Sequence, residues 1–169
     1  MKNIILIGMP GAGKSTAGVI LAKTLGKRFI DTDIVMQERT GRLLQEILDT
    51  EGPESFKKIE EETILSHNFR NAVVATGGSV VFSRRAMEHL KKNGIIVYLA
   101  ISFAKMERRL SNITTRGIVL ANGESLHEMY DERISLYKKY ADITVDCSDE
   151  GFEEVVEKIV TQIRDIPSL

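Results

Sequence analysis

A glycine-rich segment near the amino terminus constrains the fold of this chain more than any other part of its sequence. Residues 8–16 read Gly-Met-Pro-Gly-Ala-Gly-Lys-Ser-Thr and match the pattern G-x-x-x-x-G-K-[ST]. The apolar run Ile4–Ile7 precedes the segment, and a helix-period pattern follows it. In a strand–turn–helix unit, glycines let backbone N–H groups converge on phosphate oxygens at the positive end of the helix. The segment therefore predicts a phosphate-binding loop that holds a nucleoside triphosphate or a close relative.

The side chains of this loop indicate how the nucleotide is held. The ammonium group of Lys14 can reach the β- and γ-phosphates, and the hydroxyl of Ser15 can ligate Mg²⁺. The candidate nucleotide-binding residues are the loop positions Gly11, Ala12, Gly13, Lys14, Ser15 and Thr16.

Short apolar runs alternate with helix-period segments along the chain, a pattern that favours a parallel sheet covered by helices. The runs are continuously apolar, as expected for strands that are buried on both faces. The last helix carries an apolar stripe from Phe152 to Ile163, which we expect to dock on the sheet. The candidate strands are Asn3–Gly8, Arg28–Asp31, Ala72–Thr76, Ile95–Ile101 and Ile143–Asp146.

Two stretches interrupt this alternation. Residues 33–71 are mostly helical in pattern and charged, and their run of three glutamates at 60–62 is expected on a solvated helix face. Residues 112–124 have no helical period. Insertions of this kind on a parallel sheet commonly cover a substrate or act as mobile lids. We therefore predict a single domain, residues 1–169, with a substrate-binding insertion at 33–71 and a lid at 112–124.

The composition excludes several other classes of protein. The 169 residues suit one domain, and 43% hydrophobic with 28% charged residues suits a packed core. A net charge of −1 gives no bulk attraction to nucleic acid or to an anionic membrane. The single cysteine, Cys147, cannot form a disulfide within the chain, and no apolar run is long enough for a bilayer span or a signal peptide. We expect a cytoplasmic protein without nucleic-acid or membrane partners.

Two acidic residues, Asp31 and Asp33, close the second predicted strand. Side chains two residues apart in an extended chain point the same way, so both carboxylates are expected to face the phosphate loop. One can hold Mg²⁺ through water, and the other can accept a hydrogen bond from a substrate hydroxyl and act as its base. The N-K-x-D motif of GTPases is missing from the sequence, and the third and fourth strands end without the Asp usual in motor and recombinase ATPases.

In combination and in this order, the motifs resemble those of the shikimate kinase family. The matching features run from about residue 3 to residue 145 and include Ala75-Thr76-Gly77-Gly78 after the third strand and an Arg-x-x-x-Tyr pattern in a late helix. The resemblance implies a P-loop three-layer α/β fold, a five-stranded parallel sheet with helices on both faces, a substrate-binding helical insertion and a lid. It also implies a usually monomeric enzyme that transfers the γ-phosphoryl group of ATP, with Mg²⁺, to the 3-hydroxyl of shikimate.

The resemblance further implies roles for individual residues near the acceptor and the metal. Asp31 falls with Ser15 at the metal-associated position, and Asp33 falls at the position that contacts the substrate hydroxyls. Gly77 and Gly78 match the turn whose backbone approaches the substrate.

Three arginines match positions with assigned roles in the family. Arg109 matches the arginine near the adenine, and Arg116 matches the lid arginine that closes on the transferring phosphate. Arg133 matches the arginine that grips the substrate carboxylate, and the helical spacing independently puts it on an inward stripe, where a guanidinium needs an anion. The predicted catalytic set is Lys14, Asp33 and Arg116.

The sequence departs from the family pattern at three places near the predicted acceptor site. Lys57 replaces a substrate-binding arginine, which keeps the charge but loses the two-pronged hydrogen bond to a carboxylate. Ser79 replaces the third glycine of the turn. Serine costs roughly 1 kcal/mol there if the position requires a positive φ, and otherwise its hydroxyl is available to the ligand. The lid reads Arg116-Gly117-Ile118-Val119, where Arg-Pro-Leu-Leu is usual, which loosens the hinge.

These departures leave the acceptor open, although they do not touch the phosphate loop or the acid pair. Shikimate is the best single candidate, and homoserine, gluconate or another hydroxy acid are alternatives. A non-catalytic nucleotide-binding regulator is a second alternative. A nucleoside monophosphate kinase ranks last because residues 33–71 contain only Arg39, Arg42 and Arg70, without clustering.

Overall fold

Strands and helices alternate in the computed structural model, which describes residues 2–111 and 118–166. The strands are β1 (Asn3–Ile7), β2 (Arg28–Asp31), β3 (Ala72–Ala75), β4 (Gly94–Ala100) and β5 (Ile143–Asp146). The helices are α1 (Lys14–Leu25), α2 (Thr32–Thr40), α3 (Leu44–Ser66), α4 (Arg84–Lys92), α5 (Phe103–Ser111), α6 (Leu126–Tyr140) and α7 (Phe152–Arg164), with a 3₁₀ turn at Val80–Phe82. All five strands lie within one residue of their predicted ends.

The strands form one parallel sheet in the order β2-β3-β1-β4-β5. In its register Ala75 of β3 lies beside Leu6 of β1 on one side and beside Asp31 of β2 on the other. Because parallel strands end at the same edge of a sheet, the segments that follow these three strands meet there. The fold therefore brings the phosphate loop, the acid pair and the glycine turn together.

Helices cover both faces of the sheet, as predicted. Every residue of β1 is buried, and since successive side chains of a strand point to opposite faces, neither face is open to solvent there. Helices α1 and α7 pack together on one layer, and α4 and α6 both pack against β4. No helix in the two described ranges is long and apolar enough to cross a membrane.

The edge strands differ from the prediction of burial on both faces. In β5, Ile143 and Val145 are buried whereas Thr144 and Asp146 are exposed, and in β2 only Ile30 is fully buried. The alternating burial in β5 and the partial exposure of β2 show that these two outer strands are not covered on both faces. The prediction of two buried faces is correct for the three inner strands and wrong for these two.

Helices α2 and α3 form the insertion between β2 and β3, and α3 bends at Gly52. Gly52 adopts φ 80° and ψ 175°, and Pro53 starts the second half of the helix. Proline fits there because the first turn of a helix has no partner for its N–H. The insertion has a small core of its own, separate from the main one, formed by Met36, Leu44, Ile47, Phe56 and Val119.

Candidate active site

The phosphate loop joins β1 to α1 through three glycines with positive φ. These are Gly8 at 149°, Gly11 at 79° and Gly13 at 89°. A Cβ atom on Gly8 would lie 2.6 Å from the carbonyl oxygen of Leu99, so a side chain is excluded there by contact as well as by conformation. No side chain of the described residues caps the start of α1 at Lys14. The first N–H groups of this helix are thus in the position that favours an anion.

The first two side chains of α1, Lys14 and Ser15, contact different segments of the site. The Lys14 ammonium is buried and donates hydrogen bonds to the carbonyl oxygens of Gly8 at 2.7 Å and of Met9 at 2.8 Å. The Ser15 hydroxyl donates to Oδ2 of Asp31 at 2.6 Å. The hydroxyl and the carboxylate are both hard oxygen ligands, which suit Mg²⁺.

The acid pair faces the loop, but for a different reason from the one predicted. Asp31 is extended and ends β2, whereas Asp33 already belongs to the first turn of α2. Oδ1 of Asp31 accepts a hydrogen bond from the backbone N–H of Asp33 at 3.0 Å and so caps the helix. The prediction that Asp33 is extended is therefore wrong, and the turn into the helix is what places its carboxylate.

A cavity of about 170 Å³ lies between the loop, the acid pair, the glycine turn and helices α3 and α6. Ile118 and Val119, at the described end of the predicted lid, also line it. The predicted site residues that line this cavity are Gly11, Gly13, Lys14, Ser15, Thr16, Asp31, Asp33, Gly77, Gly78, Ser79 and Arg133.

Four predicted site residues are not in that lining. Ala12 is a buried residue of the loop itself, and Lys57 and Arg109 lie outside the cavity. Arg116 lies outside the described residues, so its predicted role in the lid stays a prediction.

Lys57 contacts an aromatic ring instead of the cavity. Its Nζ lies 4.6 Å from the centroid of the Phe82 ring and 3.4 Å from Oε1 of Glu54. The Arg133 guanidinium lies 5.3 Å from the same ring. The two cations predicted to hold an acceptor carboxylate therefore share Phe82 as a neighbour, which the sequence did not indicate.

Arg109 on α5 lies against the phosphate loop. Its Nη1 donates to the carbonyl oxygen of Gly11 at 2.6 Å, and its guanidinium lies 5.7 Å from the centroid of the Phe152 ring. Phe152 was predicted to dock on the sheet, but its ring is so close to Gly13 that a Cβ atom there would lie 2.5 Å from Cε1. Phe152 begins α7 at the loop, and only the later residues of its stripe reach the sheet.

Arg133 points inward from α6, as its helical spacing predicts, and is only 2% exposed. Its Nη2 donates to the carbonyl oxygen of Val119 at 2.5 Å, and its Nε has no hydrogen-bond partner among the described residues. A buried guanidinium with an unused donor beside a cavity is suited to an anionic ligand.

Close contacts with neighbouring side chains explain why the turn after β3 contains glycines. Neither Gly77 nor Gly78 has a positive φ. A Cβ atom on Gly77 would lie 2.3 Å from Oε2 of Glu60 and 3.0 Å from Oδ1 of Asp33, and one on Gly78 would lie 3.0 Å from Nη1 of Arg133. Any side chain at these positions would displace groups that line the cavity.

Glu60 belongs to the site although the sequence did not predict it there. It was expected on a solvated helix face, but it is 4% exposed and lines the cavity. Burial, with a smaller contribution from the nearby charge of Asp33, raises its pKa to about 7. The signal was present in the spacing of the buried stripe of α3, because Glu60 falls four residues after Phe56 and four before Ile64.

Comparison with known proteins agrees with this geometry. The family model described as "Shikimate kinase" matches residues 10–164. Shikimate kinases of Thermodesulfovibrio yellowstonii and Caldanaerobacter subterraneus are 39% and 36% identical to this chain, over 96% and 95% of it and 95% of each relative. A structure of shikimate kinase from Acinetobacter baumannii in complex with shikimate superposes with a TM-score of 0.90 at 30% identity, covering 100% of this chain and 96% of that one. The chain thus belongs to the shikimate kinase family, and it is an ATP-dependent small-molecule kinase.

Proposed function

We propose that this enzyme phosphorylates the 3-hydroxyl of shikimate, a step of aromatic amino-acid biosynthesis. The observation that carries the proposal is the shared cavity in which Lys14 of the phosphate loop, the Asp33 carboxylate and the buried Arg133 guanidinium all face one space. A phosphate-binding group, a base and a carboxylate-binding group are what the phosphorylation of a hydroxy acid requires.

In the proposed reaction, Lys14 holds the β- and γ-phosphates after its ammonium leaves the loop carbonyls of Gly8 and Met9. Ser15 and Asp31 would hold Mg²⁺, which supplies charge neutralisation at the phosphates when bound. Their two oxygens lie 2.6 Å apart, close enough to serve one ion. The residues present therefore fit the metal.

Asp33 is the proposed base. Its carboxylate accepts the proton of the acceptor hydroxyl as the hydroxyl oxygen bonds to the γ-phosphorus, while the bond from that phosphorus to the β–γ bridging oxygen breaks and ADP leaves. Arg133 would bind the acceptor carboxylate and so fix the hydroxyl against Asp33. We propose that Arg116 in the lid stabilises the charge on the transferring phosphoryl group.

We further propose that residues 1–169 act as one kinase domain, in which 33–71 covers the acceptor and 112–124 forms the lid. Val119 supports this division, since it packs in the core of the insertion while its carbonyl binds Arg133. We also propose that the enzyme acts as a cytoplasmic monomer, with ATP, Mg²⁺ and a small hydroxy acid as its only required ligands.

The test is a coupled assay of ADP release with Mg·ATP and a panel of shikimate, gluconate, homoserine and related hydroxy acids. We expect turnover that depends on shikimate. Turnover with another acceptor and none with shikimate would overturn the assignment of the substrate. Phosphorylation of a different hydroxy acid is the second candidate function, because Lys57 lies at Phe82, outside the cavity, where it does not contact an acceptor carboxylate. ATP binding without turnover of any acceptor would favour a regulatory protein.

A further inference from the structure

We propose that Ser79 is a positioning residue that holds Glu60, and that the Glu60 oxygen left facing the cavity binds a hydroxyl of the acceptor. This inference rests on the proposed phosphorylation of a hydroxy acid. It also explains why serine stands where the family pattern has a third glycine.

The contact between the two side chains is direct and buried. Ser79 is 5% exposed, and its hydroxyl donates to Oε1 of Glu60 at 2.6 Å. The backbone of Ser79 has φ −91° and ψ −3°, an ordinary right-handed conformation. Serine is therefore unstrained at this position, and its hydroxyl is engaged by Glu60 instead of being free to meet the ligand itself.

The second oxygen of Glu60 lies near the carboxylate of Asp33, the proposed base. Oε2 has no hydrogen-bond partner among the described residues, and Glu60 is 96% buried in a cavity wall. The position that a Cβ atom on Gly77 would occupy is 2.3 Å from this oxygen and 3.0 Å from Oδ1 of Asp33, so both carboxylates lie close to it. Leaving a buried polar atom unpaired is costly, and a donor hydroxyl next to Asp33 would satisfy it.

Ser79 and Lys57, two departures from the family pattern, are coupled through Glu60. Residue 57 precedes Glu60 by three positions on α3, a spacing at which an arginine side chain can reach a glutamate. Lys57 instead contacts Glu54 and Phe82. Ser79 thus gives Glu60 the partner that residue 57 does not provide.

The experiment measures the Michaelis constants of Ser79→Ala, Ser79→Gly, Lys57→Arg and the double variant Lys57→Arg/Ser79→Gly. We expect both Ser79 variants to raise the acceptor KM about fivefold, which corresponds to the loss of one hydrogen bond. The ATP KM should stay within about twofold of the wild-type value. With arginine at position 57, we expect the Ser79→Gly effect to fall below about twofold. The KM is measured for whichever acceptor the wild-type enzyme uses, so failure of shikimate overturns only the proposed substrate.

Ser83→Ala is a matched control, because Ser83 makes the same kind of bond, to Oε2 of Glu61, on the outer side of α3. It is expected to lower stability without changing the acceptor KM. A substrate-free check is the Glu60 pKa from carboxyl ¹³C NMR, which should rise in Ser79→Ala because the bond from Ser79 favours the carboxylate, whereas burial and the charge of Asp33 disfavour it. The proposal is overturned by an unchanged Glu60 pKa, by an unchanged acceptor KM in Ser79→Ala, or by equal changes in both KM values.

Discussion

The hydroxyl of Tyr137 donates a 2.6 Å hydrogen bond to the carbonyl oxygen of Gly78, and so ties helix α6 to the glycine turn. Arg133 lies one helical turn earlier on the same face and is buried with it. The Tyr137 ring also stacks on Tyr98 of β4, with 5.1 Å between ring centroids. One helix face therefore fixes both the turn that approaches the acceptor and the cation that would bind its carboxylate.

Tyr137→Phe tests this connection. Removing the hydroxyl leaves the part-buried Gly78 carbonyl without that donor, so we expect a loss of about 1 kcal/mol in the free energy of unfolding and a severalfold rise in the acceptor KM. Urea titration and steady-state kinetics measure the two effects. Tyr140→Phe, at the end of the same helix, is the control and should change neither. An acceptor KM equal to that of wild type would show that the turn does not depend on this bond.

Local patterns in the sequence predicted the framework of the site. The loop motif at 8–16 determines its own backbone, because its glycines are needed for their positive φ. The strands could also be predicted from the sequence, since each is a short apolar run between helix-period segments. The inward position of Arg133 followed from helical spacing alone.

Contacts between distant segments could not be predicted in the same way. Glu60 and Ser79 are 19 residues apart, and only the fold shows that they meet. Lys57 carries the expected charge, but Phe82 and Glu54 decide where its ammonium lies. The order of the strands in the sheet likewise depends on tertiary packing, and with it the difference between inner and edge strands.

Asp33→Asn tests the proposed base. The amide cannot accept the proton of the acceptor hydroxyl, so we expect kcat to fall by about a hundredfold or more, while ATP affinity measured by calorimetry stays close to that of wild type. Asp49→Asn, on the exposed side of α3, is the control for loss of one negative charge. A kcat near the wild-type value would remove Asp33 from the role of base.

Ser15→Ala tests the proposed metal ligands. We expect the Mg²⁺ concentration that gives half-maximal activity to rise about tenfold, because a hydroxyl ligand 2.6 Å from Asp31 is lost. Binding of Mn²⁺ in the presence of ADP, followed by electron paramagnetic resonance, gives a readout that does not depend on turnover. Ser135→Ala, on the exposed face of α6, is the control. Unchanged Mn²⁺ affinity would contradict the assignment.

Arg109→Ala separates the nucleotide side of the site from the acceptor side. Arg109 binds the Gly11 carbonyl and lies over the Phe152 ring, so its loss changes the outer wall of the phosphate loop. We expect the ATP KM to rise about fivefold and the acceptor KM to stay unchanged. Arg108→Ala, its exposed neighbour, should leave both values as in wild type. A larger effect on the acceptor than on ATP would contradict the placement near the nucleotide.

Glu60→Gln tests how the buried carboxyl couples pH to stability. Burial raises the pKa of Glu60 from its ordinary value of 4.5 to about 7, so between these values the folded protein binds a proton that the unfolded chain has released. By linkage, the stabilising contribution of this group is fully present below pH 4.5 and is lost as pH rises through 7. Glutamine, which does not titrate, should therefore gain in stability over wild type by on the order of 2 kcal/mol between pH 5 and pH 8.

The measurement is the free energy of unfolding in urea for Glu60→Gln and wild type at several pH values in that range. Glu62→Gln, on the exposed side of α3, is the matched control, and its difference from wild type should not vary with pH in this way. The pH dependence is the decisive feature, because a carboxylate stabilised by Arg133 and Lys14 more than it is penalised by burial would be ionised in both the folded and the unfolded chain, and the difference between Glu60→Gln and wild type would then stay constant across this range. That result would mean that Glu60 is ionised throughout, held as an anion between the two cations of the cavity.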